Sequence, residues 1–67
     1  MKRNLWYVES RERDDYHTGC FETKAEAVYR LSEIAASSFY TCGAEITRRA
    51  ESFFTLSDGA TFRVVKL

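Results

Sequence analysis

Phe53-Phe54-Thr55-Leu56-Ser57-Asp58-Gly59-Ala60-Thr61-Phe62-Arg63-Val64-Val65 is the stretch on which the fold turns. Two runs rich in aromatic and β-branched residues flank an Asp-Gly pair, the pattern of a β-hairpin closed by a two-residue turn. With Asp58 and Gly59 as the loop, Phe53 faces Val64, Thr55 faces Phe62 and Glu51 faces Lys66. One side of the ribbon then carries Phe53, Phe62 and Val64, and the other carries Phe54, Leu56, Val65 and Leu67. Both sides are apolar, although a single helix can cover only one face of a small antiparallel sheet.

That helix lies upstream. Thr23-Lys24-Ala25-Glu26 matches a capping box, in which the Thr23 hydroxyl accepts from the Glu26 amide and the Glu26 side chain returns to the Thr23 amide. From Thr23 to about Ser37, the residues Ala27, Val28, Leu31, Ile34 and Ala35 recur at helical spacing and form one stripe. Lys24, Glu26, Arg30 and Glu33 are left for solvent, with Glu26 and Arg30 in the favourable i,i+4 order.

Before the helix, Asn4 to Ser10 reads as a strand, Arg11 to Asp15 as a solvated loop of mixed charge, and Tyr16 to Glu22 as a short strand pairing back on the first. After it, Ser37-Ser38 and Gly43 bracket a connection whose aromatics, Phe39 and Tyr40, fold back onto the core. Residues 44–67 read as a meander of strands. Ala44 to Phe54 also fits a second helix through Ile46, Ala50, Phe53 and Phe54, so both readings stand there. The chain is expected to be a single α+β domain spanning residues 1–67, with an antiparallel sheet of four to five strands packed on one amphipathic helix in the order ββαβββ.

Composition bounds the function. The 67 residues hold ten Lys+Arg and ten Asp+Glu, 45% hydrophobic residues and 15% aromatic residues. This excludes a multi-domain enzyme and argues against intrinsic disorder. No apolar run is long enough to span a membrane, and Leu5 to Val8 is too short for a signal-peptide apolar region, so the expected location is cytoplasmic. The two cysteines, Cys20 and Cys42, fall short of a secreted disulfide scaffold and read as free thiols buried as small hydrophobes, with a Cys20–Cys42 bridge as the alternative.

Catalytic chemistry has little to draw on. His17 and Cys20 could form a nucleophile and base on paper, and with Cys42 and Asp14 or Asp15 they could supply zinc ligands. The isolated His-x-x-Cys nevertheless lacks the paired spacings of a zinc site. The expectation is a non-enzymatic protein with no catalytic residues, metal or cofactor. Its partner is read as another protein, or a second copy docked through the sheet. The contact candidates are Tyr40, Arg48, Arg49, Phe53, Phe54 and Arg63, because aromatics beside arginines make hot spots. The charged loop Arg11 to Asp15 is a second candidate surface. The alternative is a nucleic-acid-binding domain that uses the same basic and aromatic sheet surface, although zero net charge weighs against it and adjacent Arg48 and Arg49 would point to opposite faces of a regular strand.

Trp6-Tyr7-Val8 followed by Gly19-Cys20-Phe21-Glu22-Thr23-Lys24-Ala25-Glu26-Ala27 resembles the strand-to-helix passage of the small three-stranded DNA-binding arms of phage and transposon integrases. It is also similar to short bacterial proteins with a strand, a helix and a following hairpin. The likeness covers about the first 35 residues and implies contact with DNA. The chain departs from those arms by adding the strands of residues 44–67 and by lacking a basic surplus. As a class, a small, neutral, proline-free domain without catalytic residues resembles accessory and inhibitor proteins of phages and mobile elements, including those that block host defence complexes.

Overall fold

The computed structural model describes residues 5–67, so Asn4 and the basic residues Lys2 and Arg3 lie outside the described residues. Seven elements follow one another: β1 (Trp6–Ser10), β2 (Tyr16–His17), α1 (Lys24–Ala36), α2 (Ser38–Thr41), β3 (Ile46–Arg49), β4 (Phe53–Leu56) and β5 (Thr61–Lys66). The five strands form one antiparallel sheet in the order β2-β1-β5-β4-β3, so β5, last in sequence, is central in space. This is the expected α+β arrangement, and residues 44–54 resolve as β3, its connections and the start of β4.

The helix forms where its signals place it. The Thr23 hydroxyl accepts from the Glu26 amide at 3.2 Å and donates to the Glu26 carboxylate at 3.0 Å, a variant of the expected box. Ala27, Leu31 and Ile34 are buried, with Val28 and Ala35 half-buried beside them. Arg30 pairs with Glu33 at 3.6 Å and donates to the Tyr40 hydroxyl at 3.3 Å, in place of the expected Glu26 partner. At Ser37 the backbone turns extended and the chain restarts as the single turn of α2, which swings Tyr40 back onto the core.

The hairpin corrects the expected register. Its loop has three residues: the Gly59 amide donates to the Leu56 carbonyl at 3.0 Å, and the Leu56 amide donates to the Ala60 carbonyl at 2.8 Å. Gly59, at φ +95°, takes the left-handed position that follows a type I turn in such loops, and the Asp58 carboxylate accepts from the Ala60 amide at 3.1 Å. The additional loop residue slips the pairing by one, so Phe53 opposes Arg63, Phe54 opposes Phe62 and Thr55 opposes Thr61. A one-residue slip exchanges the faces of one strand relative to its partner. Phe54, Leu56, Ala60 and Phe62 therefore all point into the core, while Phe53 and Val65 stay on the other face. Lys66 opposes Trp6 on β1, and Glu51 meets Lys24 at 3.9 Å instead.

The core is the layer between α1 and the sheet, built from Val8, Leu31, Ile34, Phe54, Leu56, Ala60 and Phe62. Burying each large apolar side chain contributes about 1.5–3 kcal/mol. Phe54 and Phe62 stack with centroids 5.1 Å apart. Tyr16 meets Phe62 at 6.1 Å and Tyr40 at 5.2 Å, and Tyr40 meets Phe39 at 5.1 Å. Tyr40 is thus folded back as expected, whereas Phe39 is 81% exposed.

Three further expectations are revised. The strand foreseen over Tyr16 to Glu22 shrinks to Tyr16–His17, with a separate bridge between Phe21 and Trp6. Both cysteines are free but exposed, because neither lies on an element's buried face. The loop Arg11 to Asp15 is not merely solvated. Arg13 donates to the carbonyls of Tyr40 at 3.2 Å and Thr41 at 3.1 Å, and to the Asp58 carboxylate at 2.7 Å. One guanidinium thereby joins the β1–β2 loop, α2 and the β4–β5 turn.

Candidate protein-binding surface

Both helices pack on one face of the sheet, and among the described residues no helix lies on the other. The pairing defines what that open face displays. One row across the strands reads His17, Glu9, Arg63 and Phe53. A second reads Thr61, Thr55 and Arg48, and Tyr7 stands beside Val65.

The charges of this face are knitted together. Arg63 donates to Glu9 at 3.1 Å and approaches Glu12 at 3.8 Å, Arg11 reaches Glu9 at 3.5 Å, and the Tyr7 hydroxyl donates to Glu9 at 3.4 Å. Glu12 also accepts from the Thr61 amide at 3.1 Å, and that backbone bond, aided by Arg63 and Arg11, holds its carboxyl below the usual carboxylate range. The result is a fixed polar lattice interrupted by the apolar surfaces of Tyr7, Phe53 and Val65, all half-buried.

The six candidate contact residues divide between the two faces. Arg48, Phe53 and Arg63 come together on the open face. Arg49, opposite Phe54, falls on the helix side, as adjacent strand positions require. Tyr40 is half-buried in the aromatic series, with the Arg30 guanidinium 5.8 Å from its ring centroid. Phe54 is 1% exposed and offers nothing to a partner. In its place the face gains Tyr7, Glu9 and Val65. Strand alternation alone could have placed Tyr7 and Glu9 on one face of β1, but without the pairing it could not say that this face was the open one.

A cleft of about 360 Å³ opens at the β2 side, with Tyr7, Glu9, Arg11, Asp15, His17, Cys20 and Leu67 among its lining. His17 Nδ1 lies 3.3 Å from the Thr18 carbonyl. The residues weighed as zinc ligands do not assemble: among the described residues no three His, Cys, Asp or Glu side chains cluster for a metal. No described helix is long and apolar enough to cross a membrane.

At the opposite edge, the ladder of β3 with β4 shifts register between Ile46 and Arg48, leaving Thr47 as an extra residue. A bulge carrying exposed arginines is a common device against addition of a further strand. Comparison with family models, with curated proteins and with solved structures yields no match.

Proposed function

We propose that this protein is a small non-enzymatic protein-binding module that presents the open face of its sheet to a partner protein. The observation that carries this reading is the face itself: five strands bare of helix, with Tyr7, Phe53 and Val65 set among Arg48, Arg63 and Glu9. Aromatic and arginine side chains held by their neighbours lose little freedom on docking, which favours them as binding anchors. The bulged edge at β3 favours contact through the face over strand addition. The specific form we favour is occlusion of a surface on a larger complex, in the manner of accessory and inhibitor proteins of phages and mobile elements.

A nucleic-acid partner has less support. Arg49 faces away from Arg48, and Arg63 is already paired with Glu9 and Glu12, which leaves little uncompensated positive charge on the face.

The test is affinity capture from host extract with the wild-type protein, a Phe53→Ser/Arg48→Glu variant and a Tyr29→Ser control on the exposed side of α1. We expect a stoichiometric protein partner that is lost with the face variant and kept with the control. Loss with Tyr29→Ser alone would refute the face assignment. Tight nucleic-acid binding at low salt would refute the protein-binding reading.

A further inference from the structure

We propose that the cleft beside β2 receives one arginine side chain carried by the partner protein. The inference rests on the protein-binding reading and names the chemistry the cleft selects.

The space of about 360 Å³ is large enough for one long side chain. Tyr7, His17 and Leu67 give it aromatic and apolar walls, Glu9 and Asp15 give it two carboxylates, and Arg11 also lines it. Glu9 accepts from Arg63, Arg11 and Tyr7, yet a carboxylate has about four acceptor positions, so one stays open. Of its three donors, Arg11 is held weakly, at 3.5 Å and with its side chain 77% exposed, so an incoming guanidinium can displace it. Asp15 is exposed and pairs with no cation among the described residues.

These features exclude other occupants in turn. An anion would meet two carboxylates, and the Arg11 guanidinium of the lining already sits 3.5 Å from Glu9. A purely apolar side chain would cover Glu9 and leave its remaining acceptor unmatched. A lysine would satisfy the charge but not the flat walls, whereas a guanidinium stacks on aromatic faces and donates in a plane to a carboxylate.

Cys20 lines the cleft and is exposed, while Cys42 is an exposed thiol on a different part of the surface, beside α2. The molecule therefore contains both a reporter and its control. The probe is N-acetyl-arginine amide, followed by amide NMR shifts and by alkylation of the two thiols with iodoacetamide. We expect saturable shifts at Tyr7, His17, Thr18 and Cys20, with Cys20 alkylation slowed and Cys42 alkylation unchanged. Asp15→Asn, an exposed substitution that leaves the fold intact, should weaken binding by about fivefold. N-acetyl-glycine amide should produce none of these effects. The proposal is overturned if the arginine probe gives no saturable shift up to about 50 mM, if the glycine probe matches it, or if both thiols are protected equally. The experiment needs no partner, so a negative result removes the arginine assignment and leaves the protein-binding reading to its own test.

Discussion

At the scale of single residues, the least expected feature is the work done by Arg13. In sequence it sits in a run of alternating charges, Arg11-Glu12-Arg13-Asp14-Asp15, where nothing distinguishes it from its neighbours. Its role depends on Tyr40, Thr41 and Asp58, which only the fold brings near. Arg13→Ala removes two charge-assisted bonds to backbone carbonyls and should cost about 1–2 kcal/mol, read as a lower urea midpoint at unchanged slope. Arg13→Lys should recover only part of this, since a single ammonium cannot span the three acceptors. Ser10 makes the opposite case. It is fully buried on the helix side of β1, and its hydroxyl has no hydrogen-bond partner. Ser10→Ala deletes an unmatched polar group at little loss of volume, so stability should hold or rise by up to about 1 kcal/mol. A lower urea midpoint for that variant would contradict the assignment.

Acid response also belongs to individual groups. Asp58 is held below its ordinary value first by the Ala60 amide and then by Arg13, and Glu12 first by the Thr61 amide. A carboxylate depressed in the folded state contributes stability that is present above its unfolded pKa and is lost as pH falls through the folded one. Stability should therefore decline as pH drops below the ordinary carboxylate range, about 4. Asp58→Asn keeps an acceptor for Ala60 but removes the charge, so its urea midpoint should vary less with pH than that of the wild type.

At the scale of elements, α1 was legible because its cap, stripe and end are written in adjacent residues. The hairpin was legible as a hairpin but not in its register. Asp58-Gly59 announces a turn, yet the same dipeptide serves a two-residue loop and a three-residue loop, and these differ by one position in pairing. What separates them is the burial of Phe54, Leu56 and Phe62 against α1, a tertiary gain of several kcal/mol that no local pattern reports. The candidate surface suffered accordingly, since Phe54 moved inside and Tyr7 and Glu9 were missed. Phe54→Ala should cost about 3–5 kcal/mol and abolish cooperative unfolding in so small a domain, whereas Phe53→Ala should cost distinctly less. Thermal melts of the two variants show which face of β4 is buried, and equal losses would argue against a one-sided core. Gly59→Ala meets no atom within 4 Å, so its cost is torsional, about 1 kcal/mol for a positive φ.

At the scale of the whole molecule, one layer of helix on one side of a sheet divides the surface by task. The helix side completes a thin core, and the open side carries a lattice of paired charges around Glu9 and Arg63. On the protein-binding reading, such a face would dock without first organising its arginines, so substitutions in the lattice should act on specificity as well as strength. Glu9→Gln weakens the hold on Arg63 and Arg11 together. It should loosen partner binding while the melting temperature changes little, a split that calorimetry of the free protein and the complex would show.

The place of β5 in the sheet governs the order of assembly. β1 and β5 are neighbours in the sheet although some fifty residues of sequence separate them, and β5 joins the β2–β1 pair to the β4–β3 pair. Until residues 61–66 are in place, the chain can form two separate fragments of sheet with no common core. Pairing across so long a loop slows folding relative to local contacts. Until β5 pairs, the edges of β1 and β4 that it covers stay open, which makes this stage of folding the one most exposed to aggregation and to proteolysis.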